Sequence, residues 1–138
     1  DISARAGEDT RQQGVSRGLA SADYDDDGDI DLLVTNNNGP VSLLRNDGGN
    51  HNHWLSIRLH GEAANRDGIG TRVELWSAGR RMVRERSSGG SYLASHDPRV
   101  HFGLGSEGVD SLRVHWPGGG STVVRTPSSD QTLLVRQP

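Results

Sequence analysis

The residues with the clearest chemical potential lie at 23–34, DYDDDGDIDLLV, where six carboxylates fall within nine residues around one glycine. Carboxylates at that density repel one another unless a cation or a proton cancels the charge. Numbered from Asp23, the loop has Asp25 third, Asp27 fifth, Gly28 sixth, Asp29 seventh and Asp31 ninth. A hard cation such as Ca²⁺ takes about six to eight oxygens, and carboxylates on alternate residues of a tight loop supply them. Glycine at the sixth position permits the sharp turn, and the seventh position offers its backbone carbonyl.

The loop departs from an EF-hand at its end. Position twelve is Val34 rather than a bidentate glutamate, and IDLLVTN reads as a strand where an EF-hand would continue as a helix. Asp31 closes the loop instead. A solvated acidic tail is the plain alternative for a charge run. Such a tail has no reason to keep alternate spacing, a glycine at the turn and a β-branched run immediately behind.

The elements that position this loop follow from composition. The chain has 138 residues, 31% hydrophobic, with 19 glycines and no cysteine, which suits short strands and many turns around a thin core. Disulfides, thiolate metal sites and a cysteine nucleophile are excluded. No apolar run reaches the length of a membrane-spanning helix. The opening residues DISARAGEDT lack the basic and apolar regions of a signal peptide. Net charge is −3, but residues 1–31 carry nine carboxylates against three arginines while residues 32–138 carry nine against twelve. Acidity therefore belongs to one segment, and no basic footprint for nucleic acid exists.

GLASADYDDDGDIDLLVTNNNGPVSLLRNDG (18–48) resembles the FG-GAP (VCBS-type) repeat, whose D-x-D-x-D-G-x-x-D loop sits between two strands and binds calcium. That resemblance implies Ca²⁺ as the cofactor, held by Asp23, Asp25, Asp27, the carbonyl of Asp29, and Asp31, with Asp26 turned outward. Such repeats build integrin-like propellers from several blades, yet only one such loop occurs in this sequence. The repeat either belongs to a propeller outside this stretch or docks on the next domain.

From residue 53 the chain alternates apolar and polar residues between glycine-rich turns. WLSIRLHG sets Leu55, Ile57 and Leu59 against Ser56, Arg58 and His60; TRVELWS turns Val73 and Leu75 inward and Arg72, Glu74 and Trp76 outward. RMVRERS reads as an edge or exposed strand, and SLRVHW puts Leu112, Val114 and Trp116 on one face. STVVRT and QTLLVRQ complete about six strands, which predicts an antiparallel sandwich or barrel. The blocks NHWLSIRLHG (52–61), NRDGIGTRVEL (65–75), GGSYLASHDPRVHFGLG (89–105) and VDSLRVHWPGGG (109–120) resemble the ASPIC/UnbV domain. That family includes secreted cartilage acidic proteins and bacterial members, some of them encoded with enediyne biosynthesis clusters. The expected fold is all-β: an FG-GAP-type hairpin, a partial propeller blade, over 1–50, then an ASPIC/UnbV sandwich over 51–138.

Other constellations carry less. Ser95, His96 and Asp97 are consecutive and cannot converge as a triad; Asp97-Pro98 reads as a turn. His51 and His53 form an H-x-H pair without a third ligand. Asn65, Asp67 and His101 are candidates for a shared polar site, while the glycines of NRDGIG and GLG read as turns because no phosphate-binding lysine accompanies them. Trp54 and Trp76 either cover the sheet and receive the acidic segment or form a platform for a sugar ring. The expected function is non-enzymatic: a secreted, calcium-binding module for adhesion or binding to an extracellular protein, its oligomeric state left open. Carbohydrate binding through exposed tryptophan and arginine is one alternative. An accessory role in bacterial secondary metabolism, by sequestration of a small molecule or an unrecognised catalytic step, is the other.

Overall fold

The computed structural model describes residues 5–11, 13–62 and 65–138. Residues 1–4, where the expected first segment and the reading of its opening residues begin, lie outside the described residues, as do 12, 63 and 64. The fold is all-β, and the one helical element among the described residues is a 3₁₀ turn at Glu8–Arg11.

Strands β1 (Ser16–Ala22), β2 (Asp31–Asn36) and β3 (Ser42–Leu44) form an antiparallel meander. Ala22 pairs with Asp31, so the whole acidic stretch hangs from the β1–β2 hairpin as its connection. Alternation puts Ala20, Leu33 and Leu43 on one face of this sheet. That face is open: Leu33 and Leu43 are 40% and 49% exposed.

Seven further strands make a sandwich: β4 (His53–His60), β5 (Arg72–Ser77), β6 (Arg80–Glu85), β7 (Val100–Gly105), β8 (Ser111–His115), β9 (Ser121–Arg125) and β10 (Gln131–Arg136). One sheet runs β10-β4-β7, the other β6-β5-β8-β9. Leu55, Ile57, Phe102 and Val135 of the first meet Val73, Leu75, Leu112 and Val114 of the second in one core. Each such side chain contributes about 1.5–3 kcal/mol by leaving water. β5 turns into β6 through Ala78 and Gly79, both with positive φ (47° and 73°), the backbone a two-residue hairpin needs to match strand twist.

The expected antiparallel arrangement holds except at β4–β10, which pair in parallel. Between them the chain has built the entire second sheet, so no hairpin dictates their direction, and β10 enters as the crossover from β9 leaves it. The arginine-rich β6 is an edge strand, as its charge predicts. Trp116 is core, with its indole N–H donating to Thr122 Oγ1 at 2.9 Å. Two residues assigned to outer faces are nevertheless buried. Glu74 is covered by the guanidinium groups of Arg72 and Arg81, each 2.7 Å from its Oε1. Ser56 is 1% exposed and bonds to His101.

Candidate metal centre

Two positive φ angles, 58° at Asp26 and 96° at Gly28, fold the acidic connection back on itself. Asp23, Asp25 and Asp27 then offer carboxylate oxygens that all lie within 4.8 Å of one another. Asp23 is 3% exposed; its Oδ2 accepts the Gly28 N–H at 3.2 Å, while its Oδ1 is buried without a hydrogen-bond partner among the described residues. Burial raises the Asp23 pKa above the usual aspartate value, against the lowering effects of the Gly28 N–H and Arg99. An unpaired buried carboxylate oxygen carries a desolvation cost that a divalent cation would remove. The three side chains thus fit an oxygen-seeking cation.

The other two expected ligands are the backbone carbonyl of Asp29 and the side chain of Asp31. Asp29 directs its side chain to the Gly49 N–H (2.7 Å), where a Cβ on residue 49 would have no room. Asp31 accepts the N–H groups of Tyr24 at 2.9 Å and Asn46 at 2.8 Å, one on each oxygen. Both side chains stand outside the group of three. Asp31 therefore ties the start of the loop to the segment after β3. That segment, RNDGGN (45–50), supplies partners that sequence reasoning missed. Asn50 Nδ2 donates to Asp27 Oδ2 at 3.2 Å, and Arg45 lies 3.9 Å from Asp25. Its dense Asn, Asp and Gly content marks a turn whose free amides seek acceptors.

The loop docks on the sandwich through two contacts. Trp54 packs its indole against Gly28, so closely that a Cβ there would fall within 3.0 Å of the ring. The ring also stacks on His101 at 5.9 Å and 19°. Burial, then the charge of Arg99, lowers the His101 pKa. Arg99 makes the second contact. It bonds Asp97 through Nε (2.8 Å), Asp26 through Nη1 (2.5 Å) and the Asp23 carbonyl through Nη2 (2.6 Å). Hydrogen bonding to Asp97 raises the Arg99 pKa further above its usual value. Burial pushes the Asp97 carboxyl up, but the bonds from Arg99 outweigh it and hold it below the usual range. Asp97 N–H donates to Ser21 O at 2.9 Å, extending the seam to β1.

The remaining candidates resolve as follows. His96 Nδ1 faces Ser21, Ser95 Oγ donates to the carbonyl of Ser88, and Asp97 belongs to Arg99, so these three do not assemble a triad. Asp97 Oδ1 accepts the Arg99 N–H at 2.8 Å, the turn its sequence predicts. His53 bonds Asp130 at 2.7 Å, and no described carboxylate or histidine group joins it to His51. Asn65 brackets Ile69 through both its amide atoms and, like the exposed Asp67, is not brought to His101; that expected polar site is not formed. Trp76 lies beneath the Arg81 guanidinium, 6.0 Å from its ring centroid.

Residues 61–138 match the family described as ASPIC and UnbV. The strand β4, central in its sheet, precedes the matched stretch. The chain is also similar to cartilage acidic protein 1 of Mus musculus, at 31% identity over 135 residues, covering 94% of this chain and 20% of the relative. The Homo sapiens and Xenopus tropicalis counterparts are each 32% identical over 119 residues, covering 82% of this chain and 18% of theirs. The chain thus spans about a fifth of the length of the curated relatives it matches.

Proposed function

The chain belongs to the ASPIC and UnbV family, and from that premise we propose that it is a calcium-stabilised, non-enzymatic extracellular module that binds a protein partner. The single observation that carries this reading is the buried, unpartnered Oδ1 of Asp23 beside the carboxylates of Asp25 and Asp27. A bound Ca²⁺ would neutralise these charges and fix the loop against Trp54 and Arg99. In this reading 1–50 is the FG-GAP (VCBS-type) repeat: its β1–β2 hairpin suspends D-x-D-x-D-G-x-x-D between two strands and docks on the next domain. The extracellular location draws support from relatives named for cartilage, with which nearly the whole chain aligns. The open apolar face at Ala20, Leu33 and Leu43 supports protein contact over catalysis.

A second reading, carbohydrate recognition, rests on an open groove of about 720 Å³ that Tyr24, Trp54 and Arg58 line. Trp54 is engaged by Gly28 and His101, which leaves less of its ring for a sugar. A glycan array separates the two readings: sugar-specific retention favours the groove, and its absence favours a protein partner. Calorimetric titration tests the calcium site itself. Ca²⁺ is expected to bind with a dissociation constant of about 10⁻⁴–10⁻³ M, and Mg²⁺ more weakly because it sheds its waters reluctantly. A titration without saturable heat in the millimolar range overturns the reading.

A further inference from the structure

A cleft of about 310 Å³ opens between β1, the end of β6 and the Arg99–His101 stretch. Its size is at the lower end of small-ligand sites. Arg84 and Glu85 end the edge strand and Arg86 follows it, and all three line the cleft. Arg84 makes no ion pair among the described residues; its guanidinium sits 6.0 Å from the Phe102 ring centroid, which orients it. Arg86 is 9% exposed. Its guanidinium donates to the Ser87 carbonyl, yet its Nε is buried with no partner among the described residues. A buried guanidinium N–H without an acceptor costs stability that a bound oxygen would restore.

Three carboxylates, Asp23, Glu85 and Asp97, also line the cleft. Arg99 and Asp97 satisfy each other, and Asp23 belongs to the acidic loop. Glu85 is exposed. Burial first and then Arg99 lower the His101 pKa, with Asp97 opposing them and Arg84 adding more weakly. We propose that the cleft binds a small oxyanion, a phosphate, sulfate or carboxylate group, through the guanidinium groups of Arg84 and Arg86. Arginine suits this role because its planar fork matches two oxygens of one such group. Neither arginine belongs to the acidic loop, although its Asp23 lines one wall of the cleft.

Inorganic phosphate is the probe, added to the full chain in calcium-free buffer at constant ionic strength and followed by amide NMR. Saturable shifts are expected at residues 84–87 and at His101, and Arg84→Gln or Arg86→Gln should weaken binding about tenfold or more. Arg84 is exposed, so Arg84→Gln keeps its fold and remains informative even if the buried Arg86→Gln does not. Sulfate should compete with phosphate, whereas chloride should not. Shifts that do not saturate by about 10 mM phosphate overturn the proposal, as does an affinity unchanged in Arg84→Gln. Shifts confined to the acidic loop overturn it too.

Discussion

Gly28→Ala adds one methyl group at the point where the acidic loop meets the sandwich. The φ of 96° lies where an L side chain is strained, at a cost of about 1–3 kcal/mol. The new Cβ would also come within 3.0 Å of the Trp54 indole. The ring cannot simply slide away, because it stacks on His101. Overpacking of this kind costs about 1–3 kcal/mol. The two effects together predict a loss of about 2–6 kcal/mol in urea unfolding, seen as a lower midpoint at an unchanged slope. A double-mutant cycle separates them. In a Trp54→Ala background the collision disappears, so Gly28→Ala should cost only the backbone strain, and the coupling should be about 1–3 kcal/mol. The docking argument fails if Gly28→Ala costs less than about 0.5 kcal/mol, or if its cost is the same with and without Trp54.

Arg99→Gln should leave the Asp97 carboxylate, whose side chain is 14% exposed, without its partner. Residual solvent access discounts the full buried-pair penalty, so about 2–3 kcal/mol should be lost in chemical denaturation, and a loss below about 0.5 kcal/mol would contradict the clamp. His101 should make stability depend on pH. Its folded-state pKa lies below the ordinary 6.5, so the unfolded chain binds the proton first. Stability from this group is therefore constant above about 6.5, falls as pH drops below that value, and levels off once the folded-state pKa is passed. His101→Asn should flatten this part of the profile, and an identical slope in parent and variant would contradict the assignment. Leu112→Ala, at a side chain with 0% exposure between the sheets, should cost about 2–5 kcal/mol, and a near-neutral result would argue against the shared core.

Much of this architecture is legible from alternation alone. WLSIRLHG, TRVELWS and SLRVHW each bury the face that their apolar residues mark, because a period of two leaves only one face for a core. VHFGLG follows the same rule through Val100, Phe102 and Leu104, but two glycines dilute its strand signal and hide β7. The parallel β4–β10 pair is not legible, since its direction depends on how an intervening sheet routes the chain. Alternation likewise assigns Glu74 and Ser56 to outer faces but says nothing of what covers those faces. Arginines reaching from neighbouring positions cover Glu74, and Ser56 meets His101 across the sheet.

The acidic loop shows the same division between local and distant information. Spacing alone identifies Asp23, Asp25 and Asp27, because alternate residues around a glycine turn converge locally. The role of Asp31 as a brace depends on Asn46, fifteen residues away, and the Arg99 clamp on a contact from the sandwich. The sequence leaves Trp54 either as a cover that receives the acidic segment or as a sugar platform, and it does not reveal that Gly28 would lie against the ring.

The central claim, that the acidic loop is a calcium site, is tested most directly by the melting temperature of the parent, Asp27→Ala and Asp26→Ala with and without calcium. Calcium at a hundredfold excess over its dissociation constant stabilises a folded-state site by about 2.7 kcal/mol, which corresponds to a rise of about 5–15 °C for a domain of this size. The parent should show that rise and lose it to a chelator, while Asp27→Ala should show none. Asp26→Ala should melt lower because it gives up the Arg99 ion pair, yet keep the calcium increment. A parent that does not respond, or an Asp27→Ala chain that responds as the parent does, would contradict the claim.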